Sequence, residues 1–211
     1  MRFEQEIREA LVNNAIQLIA EGGFEKATTK ALTYSGERLT NAKMNEVYIY
    51  RLFGGKEGLY ETAFAKLDAE LLFVLREAVS TTCDIKICTK HKLYEIFLKI
   101  WRFLLRNEAH CRCYVRYYYS IYFNGPSLEK HNKHFDVIVS AFAPLFIEEA
   151  DVRSIMHSVL TTLLDFAVRV YNGDLEDSDV NTPHVFNVLY CIMASYFKDE
   201  IKKDANMASC I

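Results

Sequence analysis

Helix breakers are scarce in this chain. Its 211 residues include only 8 glycines and 3 prolines. Between them run long stretches whose apolar residues return every three or four positions. That period belongs to helices with one buried face, and so few breakers leave little room for a fold made of many turns. With 51% of residues hydrophobic and 13% aromatic, a large core is available and disorder is excluded. The expected class is all-α.

Reading along the chain, residues 3–22 place Ile7, Leu11, Ala15 and Leu18 on one helical face, with Gly22-Gly23 as a stop. A second helix is expected over Thr28–Tyr34, ended by Gly36 and followed by the polar connector GERLTNAK. Asn45 suits the cap of a third helix, Glu46–Phe53, with Met44 and Ile49 spaced as a hydrophobic staple. At 100° per residue, Ile49, Leu52 and Phe53 face inward. Val47, Tyr48 and Arg51 face outward, with Tyr50 on the flank. A fourth helix opens at Lys56 and runs to about Ser80, with Leu59, Ala63, Leu67, Leu71 and Val74 inside. Further helices are expected over residues 89–107, 109–123, 127–145, 149–172 and 182–203, the last opened by Thr182-Pro183. That makes about nine helices in all.

The stretch EVYIYRLFGGKEGLY, residues 46–60, combines an outward aromatic and cationic face, a glycine corner and a lysine at a helix start. Glycines allow close backbone approach, and a helix N-terminus with Lys56 favours an anion such as phosphate. Three short helices, the third with a polar-aromatic face, describe a helix-turn-helix. Residues 1–56 carry 8 Lys/Arg against 7 Asp/Glu, whereas the rest of the chain is net acidic. This is a weak tilt toward an anionic partner at the N-terminal end.

The strings AIQLIAEGGFEKATT (15–29) and IYRLFGGKEGLY (49–60) resemble the DNA-binding region of the TetR family of bacterial regulators. The resemblance covers about the first 60 residues. One departure is visible: Lys43-Met44-Asn45 stands where the family has a Gly-Val-Ser turn, and the connector ahead of it is longer by roughly six residues than the short turn of the motif. The resemblance implies a helix-turn-helix domain over residues 1–56 and a larger helical effector-binding and dimerisation domain over 57–211. It also implies backbone contacts from Thr28, Thr29, Tyr50 and Lys56. Val47, Tyr48 and Arg51 are placed toward the major groove.

Two late segments are apolar nearly all round. Ile155, Val159, Leu163 and Phe166 make one stripe and Met156, Leu160, Leu164 and Ala167 a second. Val185, Leu189, Ile192 and Tyr196 repeat the pattern in the last long segment. Helices with two apolar faces need two partners. Ile155, Val159, Leu163, Phe166, Val185, Leu189, Ile192 and Tyr196 are therefore expected at a homodimer contact, as the resemblance also implies. The aromatic middle section suits a pocket for a flat or amphipathic small molecule, with Trp101, Tyr118, Tyr122 and Phe142 as the candidate lining.

The expected function is a dimeric regulator, a repressor, that binds an inverted-repeat operator in double-stranded DNA and is released by a small-molecule effector. The alternative is a helix-turn-helix-derived ligand, thiol or metal sensor with weak or no DNA binding. No enzyme motif is found, and no cofactor is expected. His110-Cys111-Arg112-Cys113 is not expected to bind metal, because residues two apart on a helix diverge by about 200°. Cys83-x4-Cys88 near His91 suits such a role better. The six cysteines follow no disulfide spacing, MRFEQEIREA does not resemble a secretion signal, and no apolar run reaches membrane-spanning length. A cytoplasmic protein with reduced thiols is expected.

Overall fold

The computed structural model describes residues 2–40, 45–83 and 89–207, with side chains over 3–34, 45–82 and 89–204. Among these residues there are ten α-helices and no β-strand: α1 (Arg2–Gly22), α2 (Thr29–Thr40), α3 (Glu46–Phe53), α4 (Lys56–Cys83), α5 (Thr89–Arg106), α6 (Glu108–Tyr118), α7 (Gly125–Phe142), α8 (Val152–Tyr171), α9 (Asn181–Ala194) and α10 (Asp199–Met207). No described helix is long and apolar enough to cross a membrane.

The chain packs as two compact units, residues 1–69 with 109–131 and residues 70–108 with 132–211. The sequence reading divides the chain into domains at 56/57. By packing, residues 57–69 and 109–131 belong with the N-terminal helices.

In the first unit, α1 buries Ile7, Leu11 and Ala15 as its period requires, together with Ile16 and Ile19. Polar ties then fix the short helices. The Asn14 amide donates to the carbonyls of Ala31 and Leu32 on α2. Arg8 donates to the Leu52 carbonyl near the end of α3 at 2.9 Å and lies over the Phe53 ring. The Tyr60 hydroxyl donates to the Ala27 carbonyl at 2.8 Å. At the end of α1, Arg116 of α6 donates to the Ile19 carbonyl at 2.9 Å, where the helix dipole favours a cation. Phe24, Tyr60, Phe64, Tyr117, Tyr122 and Phe123 interlock as edge-on and stacked rings. Beside them, Asp68 Oδ1 accepts from the Tyr114 hydroxyl at 3.2 Å and lies 3.0 Å from His131 Nδ1, all three side chains being buried.

Helix α2 runs on to Thr40 rather than stopping near Gly36. A glycine inside a helix costs only about 1 kcal/mol, too little to end one whose other residues favour continuing. The expected staple partner Met44 and the Lys43-Met44 segment lie outside the described residues, as do Cys88 and the side chain of Cys83.

In the second unit, α5 packs on α8 and α10, and α8 on α9. The Tyr171 hydroxyl donates to the Leu104 carbonyl at 2.6 Å. Asp204 caps α5 from 115 positions away, accepting the Thr89 amide at 2.6 Å, and this bond holds its carboxyl below the usual range. The helix expected over 182–203 is two helices. Phe197, fully buried, pairs by an isolated antiparallel bridge with Phe146, their rings 5.2 Å apart. Ile147 donates to the Tyr196 carbonyl and Lys198 to that of Leu145. Burying two phenylalanines and gaining these bonds outweighs one uninterrupted helix. The segment expected to reach residue 123 likewise ends at Tyr118, where Ser120 donates to the Tyr117 carbonyl. The expected cap Thr182 lies inside the first turn of α9, which starts at Asn181.

Helix α8 does not present its two stripes as separate faces. On a helical wheel its two stripes adjoin and make one broad inward arc. Ile155, Met156, Leu163, Leu164 and Ala167 are buried within this chain. The opposite face carries Ser154, Ser158 and Asp165, all exposed. On α9 the pattern is the same, with Val185 and Leu189 buried and His184, Asn187, Val188 and Cys191 exposed. Of the eight residues expected at a subunit contact, Ile155, Leu163, Val185 and Leu189 are enclosed in their own protomer. Val159, Phe166 and Ile192 are half-buried and Tyr196 is exposed. The sequence period measures how wide an apolar arc is, not which way it points.

Candidate nucleic-acid interface and apolar cavity

Helix α3 is held at both ends. Asn45, in extended conformation, accepts the Val47 amide on its side-chain oxygen at 3.0 Å. Gly54 takes a left-handed conformation, φ 76°, and its amide closes on the Tyr50 carbonyl at 2.9 Å. A side chain there would be strained. Ile49, fully buried, anchors the inner face, worth about 1.5–3 kcal/mol.

The outer face is open. Val47 and Tyr50 are each 64% exposed, on the same eight-residue helix that buries Ile49 completely. Arg51 is exposed as well, its guanidinium 4.9 Å above the Tyr48 ring and 2.9 Å from the Glu4 carboxylate. The expected order of the two tyrosines is reversed. Tyr50 points outward, whereas Tyr48 is half-buried beneath Arg51. On a wheel, position 50 falls between 46 and 47, within the open arc.

The corner continues through Gly55 to Lys56, an exposed residue opening α4. Thr28 is exposed and its hydroxyl accepts the Ala31 amide at 3.2 Å, capping α2. Thr29 is half-buried in the first turn. All seven residues expected to touch DNA thus lie in the first compact unit, at the cap or first turn of α2, on α3 or at the start of α4.

Three supporting residues were not singled out from the sequence. Arg8 fixes the end of α3, Glu4 holds Arg51, and Gly58 lets α4 pass against the Phe53 carbonyl, where any Cβ would overlap backbone. Only Gly58 left a trace, as the glycine within KEGLY.

The second unit holds a partly open cavity of about 90 Å³. Phe97, Phe135, Phe142 and Phe186 supply rings and Met156 and Met193 thioethers; the other ten lining residues are Leu, Ile or Val. Of the four residues expected to line a pocket, Phe142 lies in this wall. Trp101 does not; it is buried, with its indole N–H 3.4 Å from Asp177, and lines instead a separate polar pocket of about 270 Å³ with Arg102, Asp177 and Asp179. Tyr118 and Tyr122 belong to the aromatic cluster of the other unit. Both are half-buried there, Tyr122 against the rings of Phe24 and Tyr60 and Tyr118 against those of Tyr114 and Phe123. Cys111 and Cys113 are buried on α6, and burial pushes the Cys113 thiol up to about 12.

No family model and no curated protein matches this chain. Solved structures do. A TetR family transcription regulator from Marinobacter aquaeolei aligns over 91% of this chain and 98% of its own, with TM-score 0.68 and 14% identity. FadR, a fatty acid degradation regulator from Bacillus halodurans, aligns over 86% and 96% with TM-score 0.63 and 16% identity. SmeT, repressor of a multidrug efflux pump in Stenotrophomonas maltophilia, aligns over 92% of each chain with TM-score 0.61 and 15% identity. Identity this low establishes architecture and nothing finer: the chain has the all-α fold of the TetR-family transcription regulators.

Proposed function

We propose that the protein is a DNA-binding transcriptional regulator, a repressor that binds an inverted-repeat operator as a homodimer and leaves it when a small effector occupies the cavity. The carrying observation is the outer face of α3. Val47, Tyr50 and Arg51 stand in solvent on a helix whose two ends and inner face are fixed. An exposed aromatic with a hydroxyl, a guanidinium and a nearby lysine make a surface suited to base edges and phosphates in a major groove. Thr28, Thr29, Tyr50 and Lys56 serve the backbone, Val47 and Arg51 the bases, and Tyr48 supports Arg51 from beneath.

Two reading heads require two copies. Pairing uses the outward faces of α8 and α9, with Val188, Cys191 and Tyr196 as apolar contacts and Phe166 and Ile192 at their margins. Paired heads then sit about 34–36 Å apart or a multiple of it. Effector binding favours the subunit arrangement in which that spacing is lost.

Selection of bound sequences from a random DNA pool tests this reading. Enrichment of an inverted repeat is the expected result. A pool that stays random would remove the regulator and favour a sensor that has given up DNA.

A further inference from the structure

We infer that the cavity of the second unit selects an uncharged hydrocarbon-like ligand, a single aromatic ring or a short alkyl chain, and rejects molecules bearing an ionised group. This rests on the reading of the cavity as the effector site, and narrows it to one chemical class.

The lining carries the argument. None of its sixteen side chains has a hydroxyl, amide or charge. Eleven of them are buried, and the five half-buried ones at the rim (Leu75, Ile96, Ile138, Val159 and Leu160) are aliphatic too. A carboxylate, ammonium or amide entering here loses its water and meets no partner, at a cost larger than the burial of a ring returns. Polar effectors are thus discriminated against by desolvation, not by shape. A dry cavity of roughly 150 Å³ lined by Leu, Ile and Phe accepts benzene, and about 90 Å³ is available before any wall moves. Met156 and Met193 lie in the wall, and thioether chains re-pack easily to widen such a space.

Occupancy has a built-in reporter. Trp101, the one tryptophan of the sequence, stacks on Phe97 with ring centroids 5.9 Å apart, and Phe97 lines the cavity. A ligand pressing on Phe97 changes the surroundings of the indole.

The test titrates the 211-residue protein with toluene, cyclohexane and benzoate, following Trp101 fluorescence and heat. Toluene and cyclohexane are expected to bind, with benzoate at least about 100-fold weaker. Leu160→Phe, which fills the rim from a half-buried position, is expected to weaken toluene at least about tenfold while the protein stays folded by circular dichroism. Benzoate binding as tightly as toluene, neither hydrocarbon binding, or toluene binding unaltered in folded Leu160→Phe would each overturn the inference. Operator selection is read separately. Hydrocarbon binding without DNA enrichment keeps the ligand class and loses the regulator; enrichment with a preference for benzoate does the reverse.

Discussion

Gly58 lies against the Phe53 carbonyl so closely that a Cβ at position 58 would overlap that oxygen. Helix α4 therefore begins pressed onto the last turn of α3, and the angle between them is set by the absence of one methyl group. Gly58→Ala gains about 1 kcal/mol of helix propensity but must push backbone aside. The net expectation is a loss of about 1–2 kcal/mol in urea unfolding, with weaker DNA binding because Lys56 moves relative to α3. Unchanged stability would mean that the corner yields freely.

Arg51 is held by Glu4, and in the proposed reading DNA has to displace that carboxylate. Both side chains are about half exposed, so the pair is worth at most about 1 kcal/mol. Glu4→Gln is expected to tighten operator binding by up to about fivefold at low salt, the gain fading as salt rises. Arg51→Ala is expected to relax preference at particular bases. Lys56→Ala weakens all sequences alike and flattens the salt dependence. Binding assays across salt concentrations decide between these signatures.

Asp68 serves Tyr114 and His131 together in a buried setting. Asp68→Ala leaves a hydroxyl and an imidazole without this acceptor and is expected to cost about 3–5 kcal/mol. Tyr114→Phe removes one donor and is expected to cost about 1 kcal/mol. A double-mutant cycle of these two substitutions by chemical denaturation should return a coupling above about 0.5 kcal/mol; strict additivity would show that Asp68 and Tyr114 do not act as a unit.

Alkaline pH should unfold the protein. Burial, with Tyr122 adding to it, raises Tyr60 from 10.0 to about 12, and burial with Asp68 lifts Tyr114 well above 10.0. Both are neutral in the fold at pH values where the unfolded chain has lost these protons. Their stabilising effect is thus complete below about pH 10 and is lost as pH climbs toward the folded value. Thermal melts between pH 9 and roughly 12 are expected to fall, less steeply in Tyr60→Phe. Equal slopes in both proteins would remove Tyr60 as a cause.

Thiol labelling tests the pairing surface. Cys111 and Cys113 are buried and Cys191 exposed. Val188→Glu, placing charge on the outward face of α9, is expected to give a monomer by light scattering. In that monomer Cys191 should label at least about tenfold faster than in the unsubstituted protein, paired as proposed, while Cys111 and Cys113 stay unlabelled, as mapped by mass spectrometry. Equal Cys191 rates would place the subunit contact elsewhere.

Much was legible in advance because it is local. Asn45 caps α3, Gly54 ends it and Ile49 turns inward, since each follows from a residue and its neighbours within one helical turn. The helical class, the short third helix and the open arc around Val47 and Arg51 came from the same source. Where a residue sat on the edge of an arc, the reading slipped: Tyr48 and Tyr50 exchanged places because Arg51 covers one of them.

The linear order of side chains thus determined which segments coil, how wide their apolar arcs are, and that a short polar-aromatic helix precedes a lysine-headed one. Only the packed chain decided where those arcs point. Both stripes of α8 turned inward, Phe146 and Phe197 cut one expected helix in two, and Asp204 capped a helix 115 residues away. Periodicity is a property of one helix, whereas enclosure depends on which other helices arrive beside it. The cavity wall drew on five separate helices, and no stretch of sequence contains that adjacency.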